Sequence, residues 1–412
     1  MRYIEDEGRI VWSASDLKAA AECEFAWLRA IDAKLGRVAP VDEPDDPTLR
    51  RAGELGGEHE LRVLARYREQ FGAGVVEIPE TRSSDAVALA EAVRLTDAAL
   101  TSDADVIYQA SFATHDFVGF ADFLVRDDAG AWVVQDTKLA RHARVTALMQ
   151  LAAYVVQLDR LGIPRSDRVE LLLGDGTTST HEADDLLPVF QLRRDRLQAL
   201  IADRRLDLGA TGAPLAWGDP RGDLGVVACG RCATCDLEVV AAGDLLLVAG
   251  MRPVQRERLR AAGVETIDDL ARLDTAPAGM NPDTVALLRT QATLQLSSPP
   301  DIPKYEVVQP QALGALPRPS QGDIFFDFEG DPLYTEGEGT IWGIDYLFGW
   351  IDLNEQYSAL WAHSFAEEKQ ALERFLDMVA LRRQTHPDLH IYHYAPAPAR
   401  HGRPLRRARS RR

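Results

Sequence analysis

The chain has 412 residues, 46% hydrophobic and 27% charged, with a formal net charge of −18 at pH 7. That length exceeds one ordinary core and implies two or three domains. The acidity excludes a protein that coats nucleic acid through bulk charge, since phosphate neutralisation needs clustered Lys and Arg, but it leaves room for a local, metal-assisted groove. No charged-then-apolar leader opens the sequence, and the richest apolar stretch, 245–251, is too short to span a bilayer. A cytoplasmic location without membrane attachment is expected.

In chain order, residues 13–36 predict a helix opened by the capping signal Ser13-Ala-Ser15-Asp16, with Leu17, Ala21, Leu28 and Ile31 near one face. An acidic, Pro-containing break at 42–47 precedes a second helix over about 49–71, which holds Gly53, Gly56, Gly57 and His59. A third, alanine-rich helix covers about 85–101. Strand patterns follow at 105–112, 117–126 and 132–138, then a helix over 145–161 and a strand at 168–173. This order predicts an α/β sandwich with a mixed sheet flanked by helices. Short helices are expected around the turn Ala262-Gly263-Val264 within 245–273, followed by a Pro-containing stretch to 303. A separate α/β domain starts near Gly322 with a strand at 324–329 and continues through 342–352. The expected domains are therefore 1–240, 241–303 and 320–399. Residues 400–412 contain seven Arg. They read either as a disordered basic arm or as the product of truncation or a frameshift, because a strand that begins at 389–394 has no completed domain after it.

Gly119-Phe120-Ala121-Asp122 and Gln135-Asp136-Thr137-Lys138 flank a three-residue turn, Asp128-Ala129-Gly130, in which Gly supplies a positive φ and Asp127 pairs with Ala131. Counting back sets Asp122 opposite Asp136, and strand alternation puts Lys138 on the same face as Asp136. Two opposed carboxylates repel, so the arrangement calls for a divalent cation, and oxygen ligands select Mg²⁺ or Mn²⁺. With a lysine to orient or deprotonate water, the matching chemistry is phosphodiester hydrolysis. The plainer reading makes both acids solvated strand-end charges paired with Lys138 or Arg126. Gln150 and Tyr154 share a face of the following helix. His59 follows a glycine-rich stretch that permits close backbone approach. Taken singly, Gln150 and Tyr154 are more often a helix face and His59 more often an ordinary partly buried histidine.

Three of the four cysteines form Cys229-Gly-Arg-Cys232-Ala-Thr-Cys235, and Cys23 lies near the other end of the same domain. That is too few and too uneven for a disulfide framework. The one-plus-three split favours a [4Fe–4S] cluster, since structural zinc more often uses two separated Cys-x2-Cys pairs; Zn²⁺ is the alternative. Ligands so remote in sequence would form a clasp whose loss unfolds the domain.

In order, His59, Asp122 in Gly-Phe-Ala-Asp, Asp136 and Lys138 in Gln-Asp-Thr-Lys, and Gln150-x3-Tyr154 resemble the RecB-like branch of the PD-(D/E)XK nuclease superfamily over about residues 10–240. The resemblance implies a restriction-endonuclease-like fold in which His59, Asp122 and Asp136 hold Mg²⁺. It makes Lys138 the catalytic lysine, with Gln150 and Tyr154 completing the site. The cysteines resemble those of iron–sulfur members of that branch, although the final interval is shorter than in many of them. Asp327-Phe328-Glu329 resembles the first acidic motif of RNase H-like 3′–5′ exonucleases, a second acidic site that would need at least two more acids. Strand-end charges are the plainer reading there. Residues 261–264 look like part of a helix-hairpin-helix element. The order of parts resembles the N-terminal portion of RecB-family nuclease–helicase proteins, but this chain has no Gly-x4-Gly-Lys-[Ser/Thr] loop for an ATPase of its own. The expected function is a metal-dependent DNA nuclease of repair or processing, with DNA and a helicase as partners. The alternative is a non-catalytic nucleic-acid-binding adaptor with a vestigial nuclease fold and a structural metal cluster.

Overall fold

The computed structural model describes residues 1–42, 45–140, 142–218, 224–337 and 341–394, so the Arg-rich segment 400–412 lies outside the described residues. The chain forms two compact units, Met1–Leu173 with Thr178–Glu306, and Gly174–Thr177 with Val307–Arg412.

In the first unit a hairpin of β1 (Arg2–Ile4) and β2 (Arg9–Val11) leads into α1 (Ala14–Glu22) and α2 (Glu24–Lys34). The capping signal forms, with Asp16 Oδ2 accepting the Ser13 N–H at 2.8 Å. The single helix expected over 13–36 is instead broken at Cys23. Its extended backbone (φ −163°, ψ 102°) ends α1, and its thiol caps α2 by accepting from the Ala26 N–H. Next come α3 (Pro47–Phe71), β3 (Val75–Glu77) and α4 (Ala86–Leu100), with Asp46 and Asp85 as side-chain N-caps of the two helices. The meander β4 (Val106–Ala113), β5 (Val118–Arg126) and β6 (Trp132–Lys138) follows, then α5 (Val145–Leu161), β7 (Arg165–Leu173), β8 (Thr178–Glu182) and α6 (Ala183–Asp203).

The six strands form one mixed sheet in the order β3-β4-β5-β6-β7-β8. The meander is antiparallel, and α5 provides the crossover that brings β7 parallel to β6. The main core gathers Leu17, Leu28 and Ile31 from α1 and α2, Leu151 and Leu158 from α5, and Leu197 from α6 around Leu124, Val134 and Leu171 of the sheet. A second apolar cluster packs Val63, Leu64 and Tyr67 of α3 on Val106, Phe123, Val125 and Leu172. The adjoining runs 123–125 of β5 and 132–134 of β6 are thus apolar on both faces, as a sheet covered on both sides requires.

The unit continues through α7 (Ala233–Ala242), α8 (Pro253–Ala261), α9 (Ile267–Ala271) and α10 (Pro282–Ser297). The expected helical module keeps a core of its own, Leu245, Val248, Leu259, Leu270, Leu288 and Ala292, with Gly263 (φ +82°) in the turn between α8 and α9. It nevertheless belongs to the same compact unit as the preceding residues. Asp244 anchors it by accepting from Trp217 Nε1 at 3.0 Å and from Arg256 at 2.5 and 2.7 Å.

The second unit contains β9 (Ile324–Thr335), β10 (Trp342–Asp352), β11 (Tyr357–Trp361), α11 (Phe365–Thr385) and β12 (Ile391–Tyr392). Its sheet order is β11-β10-β9-β12, antiparallel except that β12 runs parallel to β9. Phe375 of α11 stacks on Phe326, which leaves Asp327 and Glu329, of opposite parity on β9, exposed. Among the described residues, no helix is long and apolar enough to cross a membrane.

Candidate metal sites

The β5–β6 turn forms as its sequence predicts. The Asp127 N–H donates to the Ala131 carbonyl at 2.9 Å and Gly130 takes φ +80°. The ladder then runs from Arg126↔Trp132 back to Phe123↔Gln135 and stops one step short of Asp122 and Asp136. Beyond that step the two strands have other partners. The start of β5 stays paired with β4, and Asp136 to Lys138 pair with Leu171 to Leu173 of β7. The two acids therefore stand where the sheet forks rather than as a rung of the ladder. Thr137 bridges the fork, its N–H and its hydroxyl each donating to Asp122 Oδ2 at 2.8 Å.

Asp136 is fully buried, and neither of its oxygens accepts a hydrogen bond of good geometry. Its countercharge is Lys138, whose Nζ lies 2.5 Å from Oδ2. Burial, followed by the neighbouring Asp122 charge, pushes the Asp136 carboxyl well above the usual range in spite of Lys138. Burial works against the Lys138 ammonium, but Asp136 and Asp122 outweigh it and hold its pKa above the ordinary lysine value. A buried carboxylate with unused lone pairs beside a second carboxylate is a donor set that suits a hard cation retaining several waters.

Tyr154 is buried on α5, bonded to Gln150 and to the backbone of Phe120, and its pKa is raised by burial and then by the charges of Asp136 and Asp122. Gly119 makes room for it. A Cβ there would lie 2.7 Å from Tyr154 Cε1 and 2.8 Å from Phe117 Cζ.

His59 is buried on α3, with Nε2 3.0 Å from the Leu172 carbonyl oxygen, and burial lowers its pKa. It does not join the two acids in a ready-made triad. Among the described residues the one group of three or more His, Cys, Asp or Glu whose ligand atoms converge is the cysteines. Asp327 and Glu329 likewise join no such group among the described residues.

Two residues not anticipated from the sequence complete this region. Glu60, next to His59, accepts from Gln109 Nε2 at 2.5 Å, and its pKa is raised by burial and then by Asp122. Gln109 sits in β4 with φ +57°, at the one position of the β4–β5 ladder left unpaired, opposite Asp122 in the register. A non-glycine residue in that conformation costs of order 1–3 kcal/mol and persists only where its surroundings enforce it.

The four thiols are free and lie within 4.8 Å of one another. Sγ–Sγ distances are 3.5 Å for Cys23–Cys235, and 3.9 Å for both Cys229–Cys235 and Cys232–Cys23. Backbone N–H groups of Ala26 and Cys229 donate to Cys23 Sγ at 3.4 Å, and that of Cys232 donates to Cys229 Sγ at 3.3 Å. The hydrogen bond with Cys235 is the largest influence pulling Cys23 down, to about 5, whereas burial pushes Cys232 up to about 11. One thiol is thus poised as a thiolate, and a bound cation would draw protons from the others. Glu24 reinforces the closure, accepting a bidentate pair from Arg196 at 2.7 and 2.8 Å and the Val227 N–H at 2.9 Å. This four-cysteine cluster, able to chelate a metal, ties the start of α2 to the 227–235 segment across some two hundred residues of chain.

Comparison with models of known families and with curated proteins finds no match for this chain.

Proposed function

We propose that the first unit is a nucleic-acid-processing domain of the RecB-like PD-(D/E)XK type, clasped by the cysteine site and hydrolysing phosphodiester bonds at Asp122, Asp136 and Lys138. The observation that carries this reading is the fully buried Asp136 carboxylate, set beside the second carboxylate of Asp122 and countered by Lys138 Nζ, with neither oxygen in a well-directed hydrogen bond. A fold tolerates such a group chiefly where a ligand satisfies it. The connectivity α3, β4-β5-β6, α5, β7 agrees with a restriction-endonuclease-like core, and the β11-β10-β9-β12 order agrees with an RNase H-like start to the second unit.

Asp122 and Asp136 would hold Mg²⁺ or Mn²⁺. When bound, the cation supplies Lewis-acid stabilisation of a phosphoryl group. Thr137 holds Asp122 in position. Lys138, kept as an ammonium, donates to a phosphate oxygen or orients water. Gln150 and Tyr154 form the wall behind the acids, and the exposed Arg62 and Arg66 of α3 offer local phosphate contacts despite the acidic chain.

A second reading keeps fold and clasp but assigns nucleic-acid binding without cleavage. It is favoured by the formed cysteine cluster and by His59, whose Nε2 is engaged with Leu172. The separating experiment incubates full-length protein with end-labelled single- and double-stranded DNA and RNA, with Mg²⁺, Mn²⁺ or chelator. Metal-dependent cleavage lost in Asp136→Asn supports hydrolysis. Equal binding with and without metal, and no cleavage by protein with an intact cysteine site, supports the adaptor.

A further inference from the structure

We infer that the cysteine site takes a single tetrahedral ion of the zinc class and not a four-iron cluster; this rests on the reading of the site as a metal clasp. Four thiolates around one ion at a Zn–S distance of about 2.3 Å stand about 3.8 Å apart, the edge of that tetrahedron. The contacts of 3.5, 3.9 and 3.9 Å bracket that edge, and all four sulfurs fall within 4.8 Å of one another. In a four-iron cluster each thiolate sits on its own iron at a separate corner of a cube. The sulfurs are then spread outward along diverging bonds, well beyond the edge of a single-ion tetrahedron.

The local backbone holds the compact arrangement. Gly230 takes φ +71° within the Cys229–Cys232 turn, and a Cβ at that residue would meet Leu246 Cδ1 at 2.4 Å. The turn folds back so that the Cys232 N–H points at Cys229 Sγ. Cys232 is the N-cap of α7, and Cys235 lies in the first turn of the same helix. Cys23 is the N-cap of α2. Two helix N-termini therefore face the sulfurs, and their partial positive charge favours the thiolate form.

The test is metal and acid-labile sulfide analysis of full-length protein purified anaerobically from cells supplied with both iron and zinc. The expected result is about one zinc per chain, no sulfide and no visible colour. Retention of that zinc by Asp136→Asn assigns it to the cysteines, and its loss from Cys229→Ser agrees. Exchange of the zinc for Co²⁺ should give the intense visible absorption of a tetrahedral tetrathiolate site. Iron and sulfide in equal amounts, with brown colour, would overturn the single-ion assignment while leaving the clasp intact. Protein that is folded and metal-free, and that takes up neither Zn²⁺ nor Co²⁺, would overturn the clasp as well.

Discussion

Thr137 commits both its backbone N–H and its hydroxyl to Asp122 Oδ2, 2.8 Å each, across the point where β5 and β6 part. The carboxylate that would otherwise swing free at the end of a ladder is thereby fixed beside Asp136. Thr137→Val keeps the shape and removes one of the two donors, at a cost of about 1–3 kcal/mol for a bond to a charged acceptor. Urea unfolding should show that loss, with Thr137→Ser recovering most of it. Equal stability of the Val and Ser variants would mean that the hydroxyl contributes nothing.

Asp136 is a liability to the fold in the absence of a cation. In chelator, Asp136→Asn should leave stability unchanged or raise it by up to about 2 kcal/mol, because a buried and poorly paired charge is removed. With Mg²⁺ or Mn²⁺ at a hundredfold excess over Kd the parent should gain about 2.7 kcal/mol and the variant nothing. Thermal melts with and without metal read both effects. A variant that keeps the full metal-dependent gain removes Asp136 from the site.

Gly119 is determined by the ring behind the acids. In Gly119→Ala the new methyl would overlap Tyr154 and Phe117, both buried, and overpacking of this kind costs about 1–3 kcal/mol. The variant should unfold at lower denaturant. Pairing it with Tyr154→Leu should relieve part of the loss; additivity of the two would show that the residues do not meet.

How much of this was legible in the sequence follows from how local each determinant is. The β5–β6 turn was readable because Asp127, Gly130 and the flanking apolar runs specify it within a few residues, and helix α5 was bounded correctly by its periodicity. The fork was not readable, because nothing near the turn marks where the β5–β6 ladder ends while β4–β5 and β6–β7 pairing continues past it. Nor was the break at Cys23, where helical residues continue on both sides and a thiol from a distant segment competes for the same place. Helix α6 was missed, its pattern interrupted by Pro188 and diluted by charge. Glu60 and Gln109 carried no signal, since one is a single acid on a charged helix and the other is notable only for a left-handed conformation imposed by its surroundings.

Asp32 is a fully buried acid of the first unit. It accepts from Arg204 at 2.5 and 3.2 Å, from Arg37 at 3.3 Å and from the Leu215 N–H at 2.8 Å, linking α2 to the segment after α6. Arg204 and Arg37 side chains are each only 1% exposed. Asp32→Ala leaves them without countercharge and should cost about 3–5 kcal/mol. The paired replacement Asp32→Leu with Arg204→Met should cost clearly less than the single change, and a double variant no better than the single would refute the charge argument.

Asp244 gives the helical module a dependence on acid. Burial opposes its charge, but Arg256, the Leu246 N–H and Trp217 outweigh it and hold the carboxyl below its ordinary pKa. A depressed folded pKa contributes stability that is fully present above the unfolded value of about 3.9 and is lost as pH falls through the folded value. The module should therefore loosen below about pH 4, which near-ultraviolet spectra of Trp217, its hydrogen-bonding partner, can follow. Asp244→Asn should lower stability at pH 7 by leaving the Arg256 guanidinium unpaired, and should flatten the dependence below pH 4. An unaltered acid profile in that variant would place the sensitivity on other carboxylates.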